Sequence, residues 1–370
     1  MYIRFFTMGD LKINLPAPLQ RSSFRALDGL RGVSIAIVIF AHVFTPFLGS
    51  SYAGLIGVYV FFVISGFLIT TLLLKERLQY GSISLKRFYI RRCLRILPVA
   101  YGFLLVLICL NYLFKLAIPG RSFATCFLFI KNLPVLQNFD WYTGHFWSLG
   151  VEEQFYLLFP FLLVSLSLRN YKRLIVCLIV TIPVLSYIQA KNLDTTYLHV
   201  PGFIHLALSW IVNLFGGGTV LILTGSLFSI LMITQNRLIT FVTNKAPAIS
   251  SLLLFITGSI LLYPTLPTPV RLFSVPVFGF IVAIVIICNL KEQAIFGRLL
   301  ELEWMKKLGV LSYSLYIWQQ LFTYKQPWHH AGRNGWLLLL NLAALLIVSI
   351  LSYSLYEKQF LNYKKRFKRV

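Results

Sequence analysis

The chain has 370 residues, of which 58% are hydrophobic and 16% aromatic, while only 12% are charged. Soluble domains carry about twice that charged fraction, and roughly ten stretches approach the ~20 apolar residues that cross a bilayer; a soluble globular domain is excluded and an all-α, polytopic membrane protein is expected. The formal charge of +23 is dispersed through short loops instead of a compact basic domain, which argues against a nucleic-acid partner and follows the positive-inside rule.

Residues 1–26 are mixed and polar, without a small-residue cleavage site, and read as a cytoplasmic tail ahead of the first span. One ten-helix domain, 27–356, is expected next. Its spans are 27–48, 55–74, 97–117, 147–168, 173–190, 203–232, 251–265, 272–290, 308–324 and 336–355. The sixth is too long for a simple crossing, and Gly216-Gly217-Gly218 predicts a kink or break within it. With both termini cytoplasmic, inner loops and tails hold 26 of the 34 Lys and Arg, outer loops hold seven, and Arg31 lies inside the first span. The tail 357–370, ending Lys364-Lys-Arg-Phe-Lys-Arg-Val370, reads as a stop-transfer and lipid-surface anchor.

Within the first span, Arg31 and His42 are eleven residues apart. On a helix they share nearly one face, about 16 Å apart along the axis, with Arg31 at the inner boundary and His42 in the outer half. An imidazole can take a proton from a hydroxyl and return it to a leaving group, and a guanidinium suits a phosphate; the plainer roles are an inner anchor and a hydrogen-bonding core residue. The second span contains Ser65-Gly66, which reads as close helix packing. The inner run Lys86 to Pro98 is the densest basic stretch, and Arg92 and Arg95, three apart, can point the same way. It fits either a lipid-headgroup belt or a nucleotide-phosphate clamp.

The most informative stretch is His145-Phe-Trp-Ser-Leu-Gly-Val-Glu152-Glu153-Gln-Phe-Tyr156, which runs straight into an apolar span. Carboxylates there cost several kcal/mol and are rarely kept without a task. Glu152 and Glu153 are about 100° apart on a helix, at a depth close to that of His42, so one of them is expected to orient its imidazole. At the outer rim, His145, Trp147 and Ser148 are the expected substrate contacts. His329 and His330 lack acidic or Cys neighbours, and no metal site is expected. His199 and His205 show no usable spacing. The cysteines Cys93, Cys109, Cys126, Cys177 and Cys288 have no metal-ligand or disulfide pattern. The repeat Ser-Tyr-Ser-Leu-Tyr at 312–316 and 352–356 opens one span and closes another and is treated as coincidence.

Together the motifs resemble the acyltransferase-3 family of membrane O-acyltransferases. The matching pieces are Arg25-Ala-Leu-Asp28-Gly-Leu-Arg31-Gly with His42, Gly57-Val-Tyr-Val-Phe-Phe-Val-Ile-Ser65-Gly66, Arg87 to Pro98, His145 to Tyr156, and Leu308 to Trp318. They lie in the family's order along the chain. The resemblance implies a ten-helix core that takes an acyl group, expected to be acetyl, from cytoplasmic acyl-CoA as co-substrate, with no permanently bound cofactor. The acceptor would be a sugar hydroxyl of a surface polysaccharide, glycolipid or lipid-linked sugar, and the site a bacterial inner membrane, in contact with its lipids. The family's Arg-x10-His pair maps onto Arg31 and His42 and its Arg-x-x-Arg element onto Arg92 and Arg95. Two departures stand out: Gln319 follows Tyr-Ile-Trp318 where the family often has His, and Glu357-Lys-Gln359 replaces the common Glu-Lys-Pro. No extracytoplasmic hydrolase-like domain of the kind some relatives carry is expected, so the protein would act alone or with a separate partner. Oligomeric state is not readable, since lipid-facing and partner-facing apolar surfaces look alike.

The expected mechanism docks CoA phosphates at Arg31, Arg92 and Arg95 and threads the thioester toward His42, the general base, oriented by Glu152 or Glu153. Transfer is either direct or through an acyl-His42 intermediate. A transporter or flippase of a lipid-linked sugar also explains intramembrane charges; it predicts substrate movement without CoA release.

Overall fold

A computed structural model describes residues 15–21, 24–48, 52–133, 140–191, 201–237, 239, 241, 250–262, 268–290, 295–328 and 335–367. His199, His329 and His330 lie outside them, as do the basic residues Arg4, Lys12, Lys245, Lys291, Arg333, Lys368 and Arg369. The described residues are helical with no strand. In chain order the helices are α1 (Ala17–Gln20), α2 (Arg25–Leu48), α3 (Tyr52–Tyr80), α4 (Leu85–Phe114), α5 (Gly120–Phe127), α6 (Phe146–Ser165), α7 (Leu168–Ala190) and α8 (Gly202–Leu214). They continue with α9 (Gly217–Ile233), α10 (Ser250–Ile260), α11 (Thr268–Asn289), α12 (Ile295–Leu300), α13 (Glu303–Phe322), α14 (Gly335–Leu351) and, after a π turn over Ser352–Glu357, α15 (Lys358–Lys364).

Each of the ten apolar segments read from the sequence falls on a helix or, for the sixth, on a pair. Among the described residues, five helices are long and apolar enough to cross a membrane, and the bent pair α8–α9 makes a sixth. That pair turns by 52° at the triple glycine, where the predicted break lies.

The spine of the bundle is α13–α2–α3–α9. Helices in lipid gain little from hydrophobic contact and instead associate by close packing of small residues and by buried polar pairs. Both devices are present. A Cβ on Gly66 of α3 would stand 1.8 Å from the Ile222 carbonyl oxygen of α9. Beside this contact Thr70 donates to Ser226 at 2.7 Å and Thr71 meets Ser229 at 2.8 Å. On the other side of α2, Gly309 of α13 abuts the Asp28 carbonyl. The outward faces of α6, α7 and α14 expose large apolar side chains such as Leu157, Val180, Leu339 and Leu340, as a lipid-facing surface requires. Cys126 is buried, while Cys93, Cys109 and Cys177 face outward.

Candidate active site

Helices α2, α3, α4, α6 and α13 enclose a cavity of about 90 Å³ walled by Arg31, Arg92, Arg95, Ser65, Glu152 and Tyr156, among others. Arg92 and Arg95 lie one turn apart on α4 and both face it. The Arg92 guanidinium lies 5.0 Å from the Tyr156 ring centre, a cation–π contact that holds it across the cavity. Arg31 is tied one turn back to Asp28 at 3.1 Å. Three cations in an apolar bundle repel one another and need an anion nearby. Glu152 supplies one. Its carboxylate accepts from Ser65 Oγ at 2.8 Å and from Tyr156 OH at 3.2 Å.

Arg31, Arg92, Arg95 and Tyr313 also wall a wider adjoining cavity of about 540 Å³. Seven Lys and Arg face that vestibule against three carboxylates, Asp28, Glu76 and Glu357, an excess of four positive charges. The segment read as a lipid-surface anchor builds part of its wall: α15 packs on α4, Lys364 and Lys365 face the vestibule, and Arg91 Nη1 donates to the Phe367 carbonyl at 2.8 Å. Glu357 accepts from Ser314 on α13, which anchors the π turn that leads into α15. A surplus of fixed cations around a water-accessible space binds a polyanion.

At the opposite end of the small cavity, Ser148 Oγ and Tyr316 OH are 2.5 Å apart. The Tyr316 ring stands edge to face with the His145 imidazole at 5.6 Å. His145 is 4% exposed, and among the described residues neither of its ring nitrogens has a hydrogen-bond partner. His42 is near enough for the two imidazoles to repel when charged. Its own Nδ1 is buried and makes no well-formed hydrogen bond among the described residues, with the Val38 backbone one turn back as its nearest polar neighbour, and its ring meets the Trp141 indole edge to face at 5.4 Å. The order of groups is therefore vestibule, arginine cavity, Ser148–Tyr316, His145, His42. Buried imidazole nitrogens left unbonded are costly in a finished protein interior; they suit a site that completes its hydrogen bonds with a reacting molecule.

This geometry corrects one expectation. Neither Glu152 nor Glu153 bonds to His42. Glu152 lies in the arginine cavity because its charge is stabilised there by Arg92 and Arg31 and its oxygens by two hydroxyls. Glu153, about 100° round the helix, bears on Cys93 and Tyr101 of α4, and its buried Oε1 has no partner. Trp147 packs on Phe62 at 5.8 Å and walls a third cavity, apart from the arginines. Gln319 is fully buried and donates to the Gln320 side chain at 3.1 Å.

Several side chains escaped the sequence reading. Ser65 was legible only as a packing residue, although it bonds a carboxylate. Tyr156 lies one turn after Glu152, a spacing that pairs side chains on a helix and offered a usable signal. Trp141 reaches the site through tertiary packing with no local pattern to announce it; Tyr313, Tyr316 and Lys364 lie in stretches the sequence singled out, but their place at the site is set by packing.

A family model described as an acyltransferase domain, acyltransferase-3, matches residues 24–357. The peptidoglycan O-acetyltransferase OatA of Listeria monocytogenes is 28% identical over 94% of this chain and 58% of its own length. The O-acetyltransferase OatA of Staphylococcus aureus is 34% identical over 40% of this chain and 25% of its own length. A putative O-acetyltransferase of Staphylococcus aureus strain COL is 39% identical over a similar 40%, or 26% of its length. The chain thus spans little more than half of the longest-matching relative. No solved structure matches.

Proposed function

The chain belongs to the acyltransferase-3 family, and from that premise we propose that it transfers an acetyl group from cytoplasmic acetyl-CoA to a sugar hydroxyl of a surface glycan. In this reading ten helices cross a bacterial inner membrane with both termini in the cytoplasm, so that the vestibule faces the donor and the His42 end faces the acceptor. The observation that carries it is the order of groups: a cationic vestibule, an arginine-lined passage, then two buried imidazoles.

The vestibule's excess of four positive charges offsets the phosphates of CoA, and Arg91, Arg92, Lys364 and Lys365 hold them. The pantetheine arm lies along the cavity between Glu152 and Tyr313, and the thioester carbonyl comes to the Ser148–Tyr316 hydroxyl pair; one O–H of the pair holds the other hydroxyl, and the second turns from the His145 carbonyl to donate to the oxygen as it gains charge. His42 takes the proton of the acceptor hydroxyl as its oxygen attacks the carbonyl carbon. The C–S bond breaks, and the CoA thiolate leaves with that proton, returned by the imidazolium. Neutral imidazole is required at the start. The Listeria monocytogenes relative, named as a peptidoglycan O-acetyltransferase, supports a glycan acceptor of that kind.

The test uses the purified protein in lipid nanodiscs with acetyl-labelled CoA and a cell-wall glycan extract. Label in the glycan and free CoA in equal amounts, both lost in His42→Ala with folding intact, is the expected result. Folded wild-type protein that releases no CoA across a panel of acyl-CoAs and glycans would overturn it and favour glycan translocation.

A further inference from the structure

At the end of the bundle away from the arginines, two cavities meet at the break between α8 and α9. The first, about 370 Å³, is walled by Lys131, Asn132, Asp140 and Trp147. The second, about 510 Å³, is walled by Ser186, Gln189 and His205. They share one stretch of wall: Val212, Asn213, Gly216 and Gly217. We propose that these cavities form a continuous docking groove for the acceptor glycan, one sugar unit in each, so that a polymer is bound across the helix break. The assignment of that glycan as acceptor rests on the acyltransferase reading; its binding does not.

The polar groups of the first cavity are held in place before any ligand arrives. Asn132 and Gln154 exchange side-chain hydrogen bonds at 3.0 and 2.9 Å. Lys131 is bound to Asp140 and to Ser122, each at 3.0 Å. Lys131 and Asn132 are 5% and 6% exposed, and burying such groups is costly. The Lys131 ammonium carries a third N–H beyond its two bonds, and the amide and carboxylate oxygens each accept more than one bond, which suits hydroxyls on a pyranose ring. The Trp147 side chain adds an apolar surface for the ring's C–H face. Both volumes fall within the range of small-molecule sites, about 300–1,000 Å³.

The glycine break lines both cavities. A side chain at Gly216 or Gly217 would occupy the shared wall. Gly217 and Gly218 also begin α9, so their N–H groups have no acceptor within that helix. The site is next to the proposed chemistry: Gly144 and Trp147, in the wall of the first cavity, flank His145 in sequence.

Gly217, in the wall common to both cavities, is where a side chain can be added without a backbone clash. A Cβ there meets only the Val275 side chain, at 3.4 Å. The experiment compares wild-type protein and Gly217→Leu in nanodiscs. Saccharide binding is read by tryptophan fluorescence for N-acetylglucosamine, chitobiose, a neutral glucan disaccharide and a peptidoglycan disaccharide; acetyl-CoA binding is read separately. At least one disaccharide is expected to bind wild type more tightly than the monosaccharide, and Gly217→Leu is expected to weaken it at least tenfold while acetyl-CoA affinity stays within twofold. Asn213→Ala, which removes a side chain common to both cavities, should weaken the same ligand. Failure of every saccharide to bind folded wild type, or unchanged saccharide affinity in both variants, overturns the groove. If saccharide binding behaves as expected but no acetyl group is ever transferred, the acyltransferase reading fails and the groove stands.

Discussion

Trp141 and Gln320 are locked together by two reciprocal hydrogen bonds. Trp141 Nε1 donates to the Gln320 carbonyl at 2.8 Å, and Gln320 Nε2 donates to the Trp141 carbonyl at 2.7 Å. The same indole stands edge on to His42 and is backed by Tyr324 at 5.0 Å. A loop from one side of the bundle is thereby pinned to α13, and its indole becomes a wall for the imidazole.

Gln320 is on this account a positioning residue for His42. In Gln320→Ala the Trp141 main chain loses its tether while the indole keeps its bond to the backbone carbonyl at position 320, and kcat should fall about 10- to 100-fold, the scale at which small misplacements act. The KM for acetyl-CoA should stay within twofold, because the arginines are untouched. Steady-state kinetics with both substrates varied separate the two; a rise in acetyl-CoA KM with kcat intact would refute the role.

Arg92 is held across the cavity by Tyr156 and has no carboxylate bonded directly to it among the described residues. Arg92→Ala should raise the KM for acetyl-CoA about 10- to 100-fold, the worth of one or two hydrogen bonds to a charged group. Arg92→Lys should recover little of it, since an ammonium cannot reproduce a flat, forked contact. Dephospho-CoA derivatives provide the check, because a contact to phosphate should show up as a smaller penalty on the smaller anion.

Glu152 faces arginines and hydroxyls, not the imidazole. Glu152→Gln should therefore change acetyl-CoA binding and leave the pH dependence of kcat, which reports His42, at its wild-type position. A displaced pH profile in that variant would instead place Glu152 in the proton chemistry.

The α3–α9 crossing admits no Cβ at Gly66. Gly66→Ala should cost about 1–3 kcal/mol, the usual penalty for overpacking a tight contact, and thermal unfolding in detergent will read it as a lower midpoint. Gly120→Ala, where a Cβ meets nothing within 4 Å, is the neutral control.

Asp140 lies in the loop ahead of α6. Burial alone would raise its carboxyl, but bonds from Thr143, Ser122 and Lys131 outweigh that and hold it below the usual carboxylate range. A carboxyl with a lower pKa folded than unfolded stabilises the protein above the unfolded value, about 4, and that contribution is lost as pH falls toward the folded value. Wild type should accordingly lose stability as pH falls through and below about 4, and Asp140→Asn, less stable at neutral pH, should lose less over the same descent. Melting curves across that range will show whether the two converge.

Much of this was legible in the linear chain. Apolar run lengths and the scarcity of charge determine an all-helical membrane protein by composition alone, because a bilayer leaves the backbone few other ways to satisfy its hydrogen bonds. Gly216-Gly217-Gly218 marked the break in the sixth segment, since that run has no side chains to hold a helix straight. Arg31 was recognisable as a charge at the inner end of the first span, and Arg92 and Arg95 as a basic pair that fitted either a lipid-headgroup belt or a phosphate clamp.

Tertiary structure decided which groups meet. The depth of Glu152 along its helix was compatible with His42 by counting residues, yet the carboxylate lies with the arginines, because in a medium of low dielectric a charge goes where opposite charge and hydroxyl donors already are. The closure of the vestibule by α15 and the pinning of Trp141 by Gln320 join residues more than 170 positions apart, and helical periodicity carries no information at that range. What the chain wrote locally was where each helix runs; which faces of those helices share a cavity was settled only by packing.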